Sequence, residues 1–194
     1  MDKDSTNYTP DIEENRLGIL DKSLLNHYEA EGVVKAEIAL LTMETDNDLT
    51  IEKLLELHRI AFGQLYNWAG KWRQVEVVVG QLMPPPAHQV PILMYQFIDN
   101  LNFQIKLPLN QTEHIELVAH YHHEFVKIHP FHNGNGRLGR MLLNFMTLQL
   151  AYEPLELYHR EGDARKTYIG SLRAADNGNL ELLKTLINNE LRML

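Results

Sequence analysis

Apolar positions along most of the chain recur at intervals of three and four residues, the repeat that gathers side chains on one face of a helix. Leu24, Leu25, Tyr28, Val33, Val34, Ile38 and Leu41 set this spacing first, with acids and lysines between them, and predict one or two helices. Ile51, Leu54, Leu55, His58 and Phe62 form the next face, with Thr50 placed to cap its start and Gly63 to end or bend it. Further helices are expected over residues 90–101, with Pro91 in the first turn, about 112–128, 138–150, about 164–176 and about 180–191. In the 112–128 helix Ile115, Val118, Ala119, His122, Phe125 and Val126 share a stripe. Met141, Leu142, Phe145, Met146 and Leu148 cover most of the next helix's circumference and predict a central buried element.

One stretch departs from the helical repeat. Val75 to Val79 is rich in β-branched residues and closes on Gly80, which predicts one arm of a short hairpin with residues 81–83 returning. Pro84, Pro85 and Pro86 would block any longer ladder. Beside a helical body such a hairpin reads as a flap. The expected fold is therefore all-α, a helical bundle with a small β-hairpin flap.

A length of 194 residues suits one domain with a sizeable core. Residues 1–15 are polar, contain Thr9-Pro10-Asp11 and are expected to form a mobile arm, leaving 16–194 as the single domain. The formal charge of −8 argues against a broad nucleic-acid footprint. Cysteine is absent, which excludes disulfides, thiol chemistry and cysteine-ligated zinc. No leader-like start or membrane-length apolar run is present, so a cytoplasmic protein without membrane contact is expected.

The candidate chemistry lies in His129-Pro130-Phe131-His132-Asn133-Gly134-Asn135-Gly136-Arg137-Leu138-Gly139-Arg140. A Gly-Asn-Gly turn just before a helix frees consecutive backbone N–H groups where the helix dipole also favours an anion. Arg137 and Arg140, three residues apart, can then both reach one polyphosphate. His129 precedes a proline that keeps it out of the α region and offers a proton acceptor beside the anion site. Phe131 is expected to anchor the loop. The pairs His120/His123 and His129/His132 have metal-ligand spacing, but His122 reads more simply as a hydrogen-bonded core residue.

This twelve-residue segment resembles the signature of the Fic/DOC (Fido) family, His-x-Phe-x-Asp/Glu-Gly-Asn-Gly-Arg-x-x-Arg, at every specified position except 133. The resemblance extends over about residues 50–180 through Trp68-Ala69-Gly70-Lys71-Trp72-Arg73, Pro85-Pro86 with Val90, and Tyr168-Ile169 with Leu172-Arg173-Ala174-Ala175-Asp176. In detail the chain is similar to the short bacterial members called mobile mystery protein B.

The resemblance implies a Fic-type helical bundle and a protein adenylyltransferase, which moves AMP from ATP to a Ser, Thr or Tyr hydroxyl of a target protein with Mg²⁺ or Mn²⁺. His129 would be the general base. Gly134, Asn135 and Gly136 would line the anion hole, and Arg137 and Arg140 would hold the β- and γ-phosphates. Val77, Val78, Val79 and Gly80 would align the target by strand addition at the flap. Asn133 stands where the family usually has a metal-binding carboxylate and implies weaker metal binding. Gly136 favours AMP transfer over the phosphate transfer of the lysine-bearing DOC branch.

Two segments resemble the family's inhibitory Ser/Thr-x-x-x-Glu-Gly/Asn pattern, Glu14-Asn15 and Glu31-Gly32, but both lack the hydroxyl residue. Self-inhibition, a separate antitoxin-like partner as in toxin-antitoxin pairs, and no such inhibition all stay open, and an oligomer is compatible with the reading. Alternatives to AMP transfer are a nucleotide- or partner-binding module with little turnover, removal of AMP, or another nucleotidyl or phosphoryl transfer.

Overall fold

The computed structural model describes residues 14–42, 48–158 and 162–194, so all but the last two positions of the expected N-terminal arm lie outside the described residues. Among the described residues there are seven α-helices: α1 (Lys22–Leu41), α2 (Ile51–Phe62), α3 (Val90–Gln104), α4 (Gln111–Ile128), α5 (Asn135–Gln149), α6 (Gly162–Asp176) and α7 (Glu181–Glu190). A short 3₁₀ turn, Ala87–Gln89, leads into α3.

The helix starts follow from local polar chemistry. Asp21 caps α1 by accepting the Leu24 N–H at 2.7 Å, and Thr50 caps α2 by accepting that of Lys53 at 3.2 Å. At α4, Asn110 and Glu113 form a reciprocal capping box: Asn110 Oδ1 accepts from Thr112 and Glu113, and Glu113 accepts the Asn110 N–H at 2.7 Å.

Helix α4 is the hub, packing against α3, α5, α6 and α7. Its buried side includes Ile115, Val118, Ala119, His122 and Phe125. Helix α5 is buried along Leu138, Met141, Leu142, Phe145 and Met146, so it shares the centre with α4. Gly139 permits their contact, since a Cβ there would meet Phe125 Cδ1 and Val126 Cγ2 at 3.2 Å each. Helix α1 is continuous and lies on α2, where Gly32 brings the backbones together: a Cβ at Gly32 would stand 2.1 Å from the Ala61 carbonyl oxygen.

The expected hairpin does not form. Residues 75–83 make one antiparallel bridge, Val79 with Leu82, closed by reciprocal N–H···O=C bonds of 3.0 and 2.9 Å around Gly80 at φ 60°. The reason lies on the returning side. Pro84, Pro85 and Pro86 lack N–H donors, and the Ala87 N–H that follows is claimed by the Glu76 carboxylate at 3.0 Å. A single bridge cannot bury apolar side chains, and Val78 is 66% exposed and Met83 80%. A second difference affects the site: α5 begins at Asn135, three residues before the start expected at Leu138.

Candidate functional site

Helix α4 delivers His129 through a local consequence of Pro130. The proline ring disfavours the right-handed α region for the preceding residue, and His129 closes the helix in the left-handed conformation at φ 52°, ψ 58°. Pro130 also has no N–H to give to the Val126 carbonyl one turn back. The His129 Nδ1–H donates to that carbonyl instead, at 3.2 Å. This bond fixes the tautomer and leaves the lone pair on Nε2. Burial pushes the His129 pKa down to about 4, with the Arg73 charge acting the same way and the Val126 bond opposing both. The imidazole is therefore a neutral proton acceptor at physiological pH.

The loop after His129 is held at three points. Phe131 is fully buried, worth about 2–3 kcal/mol by area. Its ring stacks on His58 at 3.7 Å between centroids. Its N–H donates to Asn135 Oδ1 at 2.8 Å, and its carbonyl accepts from Asn135 Nδ2 at 2.9 Å. His58, fully buried on α2, accepts the Gly70 N–H at Nδ1 (2.9 Å), so Nε2 carries the proton and donates to the Asn133 carbonyl at 3.0 Å. Burial holds the His58 pKa at about 3, which keeps the ring neutral and this arrangement intact.

Gly134 then caps α5 at φ 79° with no side-chain hydrogen bond, and a Cβ there would lie 2.5 Å from Phe62 Cε2. The first intrahelical bond runs from the Leu138 N–H to the Gly134 carbonyl at 3.0 Å. The amides of Asn135, Gly136 and Arg137 precede that bond and face out of the helix N-terminus, where backbone N–H groups and the dipole favour an anion. Only Gly134 is non-helical in the Gly-Asn-Gly segment. The Asn135 side chain serves the loop, while its amide belongs to the open first turn.

The two arginines leave α5 towards different walls. Arg137 forms a buried ion pair with Glu29 of α1 at 2.6 Å and lies 4.4 Å over the Phe62 ring. Tyr66 donates its hydroxyl to the same carboxylate at 2.5 Å. Arg140 lies 4.4 Å over the Tyr158 ring, and the Tyr168 hydroxyl, whose pKa is raised chiefly by burial with the Arg140 charge opposing, bonds His122 Nε2 at 2.8 Å. Asn133 Oδ1 accepts the Gly134 N–H at 2.7 Å. Val77, Val78, Val79 and Gly80 lie on the bridged turn, away from any ladder. Of the two acidic segments with a partial inhibitory pattern, Glu31 pairs with Lys35 and Asn15 bonds Ile19.

Arg73 is a site residue whose role sequence reasoning did not assign. It is 2% exposed, and its Nε donates to the His129 carbonyl at 2.8 Å, Nη1 to that of Val75 at 3.0 Å, and Nη2 to that of Pro85. Its own N–H donates to the Pro130 carbonyl at 2.9 Å. Glu29 was also missed, although a signal existed: it shares the spacing of Leu25, Gly32, Ala36 and Leu40, an acid on an otherwise apolar face.

Residues 48–147, just over half of the chain, match the Fic/DOC family. The protein adenylyltransferase Fic of Drosophila willistoni is 32% identical over 174 residues, 89% of this chain and 34% of the relative, so the chain spans about a third of that protein's length. Fic-1 of C. elegans (residues 134–508, E274G) superposes with a TM-score of 0.74 at 28% identity, over 89% of this chain and 50% of that one. The BepC effector of Bartonella tribocorum, solved with bound AMPPNP, has the same fold at 18% identity, with a TM-score of 0.77 over 97% of each chain.

Proposed function

The chain belongs to the Fic/DOC family, and from that premise we propose that it transfers AMP from ATP to a hydroxyl of a target protein. The observation that carries the reading is the pairing of a neutral His129, its Nε2 lone pair directed by the Val126 bond, with the open amide turn of α5 a few residues downstream. The target oxygen attacks the α-phosphorus, its proton passes to His129 Nε2, and the bond to the β-phosphate breaks to release pyrophosphate. The amides of Asn135, Gly136 and Arg137, reached across Gly134, stabilise the phosphate charge as it develops. Arg140 binds the terminal phosphates. Arg137, charge-compensated by Glu29, shapes the wall beside them. The bridged turn of residues 75–83 presents exposed backbone around Val77, Val78, Val79 and Gly80 to the target.

The fit to a divalent metal is partial. Among the described residues no group of three or more His, Asp or Glu side chains could hold one. Asn133 Oδ1 is a neutral oxygen with one lone pair already engaged by Gly134. Mg²⁺ or Mn²⁺ would be held mainly by the nucleotide phosphates with Asn133 as a single protein oxygen, and when bound would supply positive charge to the transferring group. This weak set favours the second reading, a nucleotide-binding module with little turnover.

The deciding experiment incubates the protein and its His129→Ala variant with α-labelled ATP, Mg²⁺ or Mn²⁺ and cell lysate. A labelled protein band that requires His129 is expected. Nucleotide binding without label under either metal would replace transfer by the binding module.

A further inference from the structure

The neutral ring of His58, fully buried on α2, admits one proton arrangement. The Gly70 N–H can only donate, so Nδ1, 2.9 Å away, accepts and carries no proton. Nε2 therefore holds the ring proton and donates it to the Asn133 carbonyl at 3.0 Å. Aromatic neighbours fix the plane of the imidazole: Phe131 stacks on it at 3.7 Å and 10°, and Phe62 and Trp68 flank it at 5.0 and 5.6 Å between centroids. The bond to Asn133 orients a whole peptide unit. In a trans peptide the C=O and N–H point in opposite directions, so a carbonyl drawn in towards His58 sends the Gly134 N–H out the other way, where Asn133 Oδ1 accepts it at 2.7 Å. Gly134 by itself would leave that choice open. It sits at φ 79°, and a residue without a Cβ takes φ of either sign, so the same peptide could turn over and put its carbonyl where the N–H now stands.

We propose that His58 is a positioning residue of the phosphate turn: by holding the Asn133 carbonyl on the core side, it offers a bound nucleotide the amide edge of the Asn133–Gly134 peptide and not its oxygen. A carbonyl turned outward would set partial negative charge beside the anion, next to the amides of Asn135, Gly136 and Arg137 that attract it. Donors already in place serve phosphate best, because nothing has to reorient when it binds. The Asn133 side chain is the weaker of the two latches, since its oxygen is also the one protein oxygen offered to a divalent ion. When that oxygen swings to a metal, His58 still holds the peptide. A phenylalanine at the same point of α2 could stack on Phe131 without the desolvation that a buried imidazole carries. What the imidazole adds is the pair of hydrogen bonds, and with them the direction of the peptide.

The inference rests on the nucleotide reading above, and two variants separate it from that reading. Glutamine carries an amide nitrogen at the reach of Nε2 and can still donate to Asn133, whereas asparagine carries an amide oxygen at the reach of Nδ1 and can still accept from Gly70. His58→Gln and His58→Asn each lose one of the two hydrogen bonds, so their melting temperatures should fall alike. Calorimetric titration with a non-hydrolysable ATP analogue should part them: His58→Gln stays within about threefold of the natural protein, and His58→Asn binds roughly tenfold more weakly. Equal affinities in the two variants, or losses that merely follow the melting temperatures, would overturn the positioning role. A natural protein that binds no analogue would remove the nucleotide reading and the role built on it. The ring-nitrogen NMR shifts of His58 in the natural protein test the arrangement without any substitution. A proton on Nε2 is expected with and without analogue. One on Nδ1 would overturn the proposal, whether or not the variants fold.

Discussion

The Nε of Arg73 donates to the carbonyl of His129 at 2.8 Å, so a side chain 56 residues upstream fixes the backbone of the proposed base. The same guanidinium also binds the Val75 and Pro85 carbonyls, tying the bridged turn to the end of α4. Replacing Arg73 by Leu would leave buried acceptors without donors and should destabilise the fold by at least about 3 kcal/mol. Lysine should recover little of this, because one ammonium cannot fork to carbonyls on three sides. Urea unfolding of both variants provides the check; a loss below about 1 kcal/mol would dismiss the clamp.

His129→Ala is expected to lower AMP transfer about 10²–10⁴-fold while the ATP analogue still binds. The base works in its neutral form, which exists above its folded-state pKa and disappears as pH falls through it. With that pKa near 4, the acid limb of kcat/KM should lie well below the 6.5 of an ordinary histidine. Rates from brief acid jumps, taken before unfolding, would reveal the limb. One near pH 6.5 would contradict the buried, neutral assignment.

Stability should fall in mild acid for a related reason. His58, His122 and His129 are held neutral by burial, with pKa values pushed from 6.5 to about 3, 4 and 4. Below 6.5 the unfolded chain takes up protons that the folded chain refuses. The stabilisation is complete above 6.5 and drains away as pH drops towards 4. From these groups the proton difference should approach about three per molecule near pH 5, read from the urea midpoint as a function of pH. A flat profile between about pH 7 and pH 5 would refute it.

Gly134→Ala places a methyl 2.5 Å from Phe62 Cε2 at a φ of 79°. Backbone strain alone costs about 1–3 kcal/mol, and displacement of Phe62 from beneath Arg137 adds to it. A lowered melting temperature together with weakened ATP-analogue binding is expected. Full retention of both would mean that the turn tolerates other geometries.

Asn133→Asp adds the charge that a divalent ion prefers to a position facing the turn. Titration of Mg²⁺ against AMP transfer should show half-activation at lower metal concentration than in the natural protein. An unchanged metal requirement would show that the phosphates alone set metal affinity.

Much of this was legible because it is local. Thr50 marked the start of α2, and the His129-Pro130 step set the end of α4 from proline sterics alone. The hairpin was misjudged because the β-branched run from Val75 to Val79 states a preference, whereas pairing depends on donors opposite it, and the prolines and Glu76 remove them. Long-range polar contacts were the other loss. Glu29 meets Arg137 across 108 residues, and spacing could place it on an apolar face but not name its partner. Likewise His122 was foreseen as a hydrogen-bonded core residue, but not its partners, the Gly139 carbonyl and the Tyr168 hydroxyl.

The aromatic packing around the loop gives the protein an optical signal of its own. The sequence contains two tryptophans, and both lie against this loop: Trp72 is 5.1 Å from the Phe131 ring, and Trp68 is 5.7 Å from His132 and 5.6 Å from His58. Indole emission from the unlabelled chain therefore arises wholly beside the anion turn. A ligand that shifts the loop can be followed by intrinsic fluorescence in real time, free of background from distant reporters.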